Sequence, residues 1–354
     1  MSMTLYNKTI DMNNFFLSAC MLLLCSCGTS NAENALPDDE GGDIGTIKKK
    51  QHILYADPTI ILENGTYYMS GTSQVGNQSS RGFTVLQSDD LKEWTTGTKD
   101  TYRFMIGPEW GTTFGTKGFW APQWFKADNG KYRFFYTANE QVAVAQSDNI
   151  AGIFKQNEAK AIDPSVGNID PFIFKDDDGK FYLYHVRFGG GNFIWVAEYD
   201  FDSDSIDKST LTQCLDITEP WELMKNYDNS KIMEGPTVVK WDGIYYLFYS
   251  ANHFCDPDYA VGYATATSPK GPWTKYKDNP IIRRDIVGEK GAGHGDIFKG
   301  KDNKYYYVYH VWGDNDNPHA RQTRIVPLKR EKGSDGIYRI SVEKANIIIP
   351  LHVY

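Results

Sequence analysis

MEGPTVVKWDGIYYLFYS, running from Met233 to Ser250, is the stretch on which the reading of the fold turns. An acid and a glycine precede a proline and a short apolar run. Trp241-Asp242-Gly243 then interrupts the chain, and an aromatic-rich run follows. Asp-Gly between two apolar runs favours a tight hairpin, because such a turn needs residues that tolerate positive φ. The segment therefore predicts two antiparallel strands, with Glu234 at the entrance of the first.

The same pattern recurs four times. DPTIILENGTYYMSG from Asp57 turns at Asn64-Gly65, and APQWFKADNGKYRFFYT from Ala121 turns at Asn129-Gly130. DPFIFKDDDGKFYLYH from Asp170 turns at Asp178-Gly179, and HGDIFKGKDNKYYYVYH from His294 turns at Asp302-Asn303. Anchored on Pro58, Pro122, Pro171, Pro236 and Asp296, the units are 64, 49, 65 and 60 residues apart. A period of this size, built of hairpins without helices, is that of blades arranged around an axis. The sequence predicts an all-β fold, a five-bladed β-propeller.

The heads of the units carry the chemistry. Asp57 and Asp170 stand immediately before their prolines, whereas Glu234 and His294 stand two positions before their anchors. The innermost strand of a propeller blade lines the central channel, so equivalent positions gather at one end of it. Taken singly, an acid before proline is a turn residue bonded to the backbone. Three acids at matching positions repel one another, a cost that makes sense only if the cluster is used.

The chain before the repeats has a different composition. Phe15 to Ser26 is an apolar run of 12 residues, too short to span a bilayer and suited to the core of a signal peptide. It ends in Leu24-Cys25-Ser26-Cys27-Gly28, which resembles a bacterial lipobox, with Cys27 as the lipidated residue. Leu17-Ser18-Ala19-Cys20 is a competing match with a shorter apolar core, and plain secretion is the alternative. Residues 1–27 are read as the leader, 28–50 as a flexible tether poor in large apolar groups, and 51–354 as the propeller domain. The protein is expected to be an exported lipoprotein of the outer membrane or periplasm, touching the membrane only through its lipid. It is expected to act as a monomer.

The net charge of −8 without basic tracts argues against nucleic acid as a partner. Only Cys214 and Cys255 remain beyond the leader, and their pairing is not readable. Aromatic residues make up 14% of the chain, more than blade packing alone calls for and of use in stacking on sugar C–H faces. Trp94, Phe154 and Trp273 follow the hairpins in segments read as outer strands, and are expected in the core. Two long loops, Tyr102 to Gly118 and Ala251 to Tyr259, are expected to wall a site. The first leads into Trp120, which should border the sugar. No nucleotide-binding glycine motif and no cysteine-rich metal pattern occurs.

Carboxylates facing one another across a channel suit glycoside hydrolysis, which needs one acid to protonate the leaving oxygen and one carboxylate opposite. The ordered motifs YADPTI, GFWAP, NIDPFIF, MEGPTV and GHGDIF also resemble glycoside hydrolase family 43 over about Tyr55 to Arg324. The resemblance implies a five-bladed propeller that hydrolyses with inversion, with Asp57 as general base and Glu234 as general acid. It implies that Asp170 tunes and orients Glu234, that Arg321 contacts the base region, and that His294 lies in the channel, where members often hold calcium through water. A lone histidine is a poor calcium ligand, so no cofactor is expected to be required, and a structural calcium held through water at His294 in the central channel is the open alternative. The invertase-like propellers carry Arg-Asp-Pro where this chain has Ile169-Asp170-Pro171. The expected substrate is a pentose-containing plant cell-wall glycan, first a terminal α-L-arabinofuranoside and second a β-xyloside or a galactan. A sugar-binding propeller without activity is the non-enzyme alternative, and the presence of all three acids argues against it.

Overall fold

The computed structural model describes residues 48–75, 79, 81–96, 104–223, 231–313 and 316–354. The leader, its lipobox and nearly all of the expected tether lie outside the described residues. Among the described residues the only α-helix is the single turn Arg284–Val287; the rest of the regular structure is strand and short 3-10 turns.

Each hairpin read from the sequence opens a separate antiparallel sheet. Blade 1 holds Tyr55–Glu63, Thr66–Ser73 and Leu86–Ser88, and blade 2 holds Trp120–Lys126, Tyr132–Ala138 and Gln141–Ser147. Blade 3 is Asn168–Lys175, Phe181–Phe188 and Asn192–Asp200, with two short outer strands. Blade 4 is Met233–Trp241, Ile244–Ala251, Ala260–Ala266 and Thr274–Lys275, and blade 5 is Gly293–Lys299, Tyr305–Val311 and Gln322–Pro327. The first strands of successive blades touch in order, and that of blade 5 returns to that of blade 1, so the five close into a ring.

Turn chemistry sets the hairpins. Asn64-Gly65 and Asp242-Gly243 have both central residues at positive φ and close two-residue loops, the mirror-image turn that matches strand twist. In the other three blades only the second residue of the pair (Gly130, Gly179 or Asn303) is left-handed, and the loops are longer.

Every blade interface has its own apolar cluster. Phe134 and Tyr136 of blade 2 meet Ile61 and Tyr68 of blade 1, and Leu183 of blade 3 meets Phe135 and Val142 of blade 2. Tyr184 and Val186 meet Leu247 between blades 3 and 4, Phe248 meets Tyr307 between 4 and 5, and Val308 meets Met69 between 5 and 1. Burying one such aromatic contributes about 1.5–3 kcal/mol, so the aromatic excess is in large part blade packing. Trp94 and Phe154 are fully buried as expected, while Trp273 is half-buried against the blade 3–4 cluster.

The ring is fastened at the outer edge of blade 1. Leu351–Val353 lies parallel to Glu93–Trp94 and antiparallel to Lys50–His52, and Lys49 and Tyr354 exchange backbone hydrogen bonds. Lys49 and Lys50, which the sequence reading put in the tether, thus take part in the ladder that fastens the propeller. The ladder with the C-terminal strand orders a polar stretch that composition alone assigned to the tether. Cys214 is a buried free thiol, so it does not pair with Cys255.

Candidate active site

The site is built on a backbone irregularity repeated five times. Each inner strand slips register at one place: after Ala56, Trp120, Ile169, Glu234 and Gly293. The next residue is a β-bulge with positive φ: Asp57 at 48°, Ala121 at 45°, Asp170 at 56°, Gly235 at 58° and His294 at 40°. Left-handed backbone costs a non-glycine residue about 1–2 kcal/mol, and it is spent here at the residues that carry the chemistry. A Cβ at Gly235 would come within 2.8 Å of the His294 ring, so this bulge admits only glycine. The acid of blade 4 stands instead one residue earlier, at Glu234.

This alignment corrects one detail of the sequence reading. Gly295, and not Asp296, occupies the place of the prolines, so His294 is the true counterpart of Asp57 and Asp170. Glu234 shares its register with Trp120, the residue before the bulge in blade 2.

The bulge residues converge. His294 Nδ1 lies 3.4 Å from Asp57 Oδ1 and 3.8 Å from Asp170 Oδ2. Thr72 donates to Asp57 Oδ2 at 2.6 Å, and Arg321 Nη1 lies 3.4 Å from Asp57 Oδ1. The Asp170 carboxylate accepts the Gly235 N–H at 3.2 Å. Tyr259, from the loop after the Glu234 hairpin, donates its hydroxyl to Glu234 Oε1 at 2.6 Å. Asp57, Asp170 and His294 are buried, whereas Glu234, Trp120 and Arg321 are partly exposed at the mouth. Below the bulges the channel narrows to a cavity of about 20 Å³, no larger than a water molecule needs, lined by Asp296 among others; Asp296 accepts from Thr59 and Thr237.

The environments push the acids apart. Burial raises the Asp57 carboxyl, but the neighbouring His294 ring, the Arg321 guanidinium and the His310 hydrogen bond outweigh it and hold Asp57 well below the ordinary carboxylate range. Burial lowers the pKa of both His294 and His310, the latter to about 4, so Arg321 is the permanent cation of the site at neutral pH. Glu234 is pushed up to about 7 by burial and by the charge of Asp57, against the pull of the Tyr259 hydrogen bond and Arg321. Asp170 is raised well above its usual range by burial, then by Glu234 and Asp57, with the Gly235 N–H opposing. Asp170 and Glu234 thus titrate as a pair that keeps a proton near neutrality. The resemblance gave Asp170 the tuning of Glu234; burial and then Asp57 raise the Glu234 carboxyl, and Asp170 is coupled to it through the repulsion that raises Asp170 itself.

An acid held ionised in one blade and an acid held protonated in another form the pair that glycoside hydrolysis uses. Comparison with known proteins agrees. The model of the family described as Glycosyl hydrolases family 43 matches residues 52–334. The chain belongs to family 43.

A solved structure titled an endo-1,4-β-xylanase, from Bacteroides thetaiotaomicron, is similar to this family 43 chain at 36% identity and a TM-score of 0.76, covering 87% of this chain and 100% of that one. A β-D-galactofuranosidase of Aspergillus niger is 27% identical, covering 78% of each chain. An extracellular endo-α-(1→5)-L-arabinanase of Bacillus subtilis is 26% identical over 75% of this chain and 82% of its own. Family 43 membership makes the protein a glycoside hydrolase.

Asp57, Asp170, Glu234, His294 and Arg321 are thus brought to one end of the channel, with Trp120 at the rim in the register of Glu234. The Ala251 to Tyr259 loop forms a wall: the Arg321 guanidinium lies 4.5 Å over Phe254, and Arg321 Nε donates to Gln74. Residues 102 and 103 of the other long loop lie outside the described residues. Beyond them, Phe104–Ile106 pairs with Phe83–Thr84, and Gly118 lies against the Trp120 indole.

Sequence reasoning missed Thr72, Tyr259 and His310. The Asp57 N–H donates to His310 Nδ1 at 3.1 Å, and Tyr259 stacks on the same ring at 5.8 Å. Tyr259 stands immediately before the third strand of blade 4, as Arg321 does in blade 5, and Gly293 makes room for it, since a Cβ there would sit 2.3 Å from its ring.

Calcium takes six to eight oxygen ligands. The carboxylate oxygens nearest His294 are engaged by Thr72, Arg321 and Gly235, and no group of three or more metal-ligating side chains occurs among the described residues. The residues present do not fit a calcium ion held directly by the protein.

Proposed function

We propose that the protein is an inverting glycosidase that releases terminal α-L-arabinofuranose from plant cell-wall glycans. The observation that carries the mechanism is the contrast between Asp57, held ionised beside Arg321, and Glu234, pushed up to about 7. Asp57 takes a proton from water as the water attacks the anomeric carbon. Glu234 gives its proton to the leaving oxygen, and the glycosidic bond breaks with inversion. Inversion asks for carboxyl groups roughly 6.5–9.5 Å apart, with a water between them. Their places on blades 1 and 4, across the ring from each other, suit that gap. Arg321 fixes the base, Tyr259 holds the acid, and Trp120 offers a ring face at the rim.

The furanose assignment is supported by relatives named for furanoside bonds, the galactofuranosidase and the arabinanase. Action on a β-xyloside is the second reading, favoured by the more similar structure titled a xylanase. Hydrolysis of matched 4-nitrophenyl α-L-arabinofuranoside, β-D-xyloside and galactosides decides between them. A kcat/KM highest on the arabinofuranoside is expected; a tenfold preference for the xyloside would replace the assignment. Export and anchoring through Cys27 belong to the same proposal. Intact-mass measurement of membrane-extracted protein should find an acylated Cys27 at the mature amino terminus, and an unmodified soluble form would leave plain secretion.

A further inference from the structure

Four of the five bulges share a second device. The bulge N–H points back to the preceding blade, where it meets the second-strand residue paired with the position before that blade's own bulge. Ala121 N–H donates to Thr72 at 2.9 Å, and Asp170 N–H donates to Thr137 at 3.0 Å. His294 N–H donates to Ser250 at 2.8 Å, and Asp57 N–H donates to His310 at 3.1 Å. The strand register makes these equivalent: Thr72 pairs with Ala56, Thr137 with Trp120, Ser250 with Glu234 and His310 with Gly293. In blade 3 the corresponding residue, opposite Ile169, is Val186. It is fully buried in the cluster between blades 3 and 4 and has no acceptor to offer. The fifth N–H, that of Gly235, turns to the Asp170 carboxylate instead.

We infer that Val186 is a positioning residue: by withholding the acceptor that the other blades supply, it leaves the Gly235 N–H to Asp170 and fixes that carboxylate beside Glu234. The inference rests on the proposed reading in which Glu234 is the proton donor. The other ionisable groups facing Asp170 are Asp57 on blade 1, His294 on blade 5, Arg321 and Tyr259. None of them replaces a backbone N–H, which cannot rotate away.

A hydroxyl oxygen at position 186 would compete to accept the Gly235 N–H, as that of Thr137 accepts the Asp170 N–H. The ionised Asp170 would lose a donor and bind its proton more tightly, since a hydrogen bond to the charged form favours that form. A protonated Asp170 repels Glu234 less, so Glu234 ionises at lower pH. Protonation of the leaving group suffers, and water attack does not.

The test compares Val186→Thr with Val186→Ala on two substrates: a methyl glycoside, which needs protonation, and the matching 4-nitrophenyl glycoside, which needs little. Val186→Thr is expected to lower kcat/KM on the methyl glycoside by about tenfold, the lower end for one hydrogen bond to a charged group, and by about twofold or less on the aryl glycoside. The basic limb of its pH profile moves to lower pH. Val186→Ala, which supplies no acceptor, keeps the wild-type ratio between substrates whatever its stability. Val186→Ser delivers the same hydroxyl if the threonine variant does not fold. Equal effects on both substrates, with an unmoved pH limb, would overturn the role of Val186. Glu234→Gln separates the two readings. If it too affects both substrates alike, the assignment of the acid has failed. If it discriminates and Val186→Thr does not, only the role of Val186 has.

Discussion

Tyr259→Phe isolates one contact of the acid. The phenol donates to Glu234 Oε1 at 2.6 Å, and this bond opposes the burial that lifts Glu234 to about 7. The phenyl ring can keep the stack on His310 and the place against Gly293. A hydrogen bond to a charged group contributes about 1.5–3 kcal/mol, and about 1.36 kcal/mol is one pKa unit. Glu234 is partly exposed, so water recovers part of the loss and the lower end applies, about one unit. The sign follows from which form is stabilised. The hydroxyl favours the carboxylate, its removal favours the acid, and Glu234 rises. Activity needs Glu234 protonated, so the basic limb of kcat/KM, expected to fall through about 7 in the wild type, should fall near pH 8 in the variant. The assay is the pH dependence of kcat/KM on an unactivated oligosaccharide. A limb that stays in place, or moves to lower pH, would refute the reasoning.

Three further outcomes follow from the same geometry. Arg321→Met removes the permanent charge beside Asp57 and should lower kcat/KM by roughly 10- to 100-fold, the worth of a charged hydrogen bond; Arg321→Lys should recover part of it in the same steady-state assay. Gly235→Ala pays about 1–2 kcal/mol for left-handed backbone and also meets the His294 ring. Its urea midpoint should therefore fall further than that of Gly65→Ala, whose added Cβ meets nothing within 4 Å. Trp120→Ala should lower kcat/KM by about the 1–3 kcal/mol of a lost stacking contact while changing thermal stability little. A large loss of stability with kcat/KM intact would make Trp120 a packing residue.

The hairpins were legible because Asn-Gly and Asp-Gly turns between aromatic runs leave little choice of local structure. The acids were legible because proline marks the bulge in blades 1 to 4. Blade 5 has glycine there, so the anchor fell one residue late, on Asp296. The polar residues that receive the bulge N–H groups carried a signal that could have been found: Thr72, Thr137, Ser250 and His310 each stand near the end of an aromatic second strand. By that rule His185 looks like the member from blade 3, but the ladder places Val186 opposite Ile169 and His185 opposite Trp195. Register decides which face a residue takes, and a slip of one residue changes it. Tyr259 was out of reach, because it comes from a connecting loop and meets Glu234 only once the blades are closed.

The division of labour between Asp57 and Glu234 stands or falls on the stereochemistry of the product. NMR of the hydrolysis mixture, recorded before the released sugar mutarotates, reports the configuration of the first-formed anomer. The account predicts inversion, because Asp57 activates water and does not bond to the sugar. A first product of retained configuration would make one carboxylate a nucleophile and contradict the mechanism.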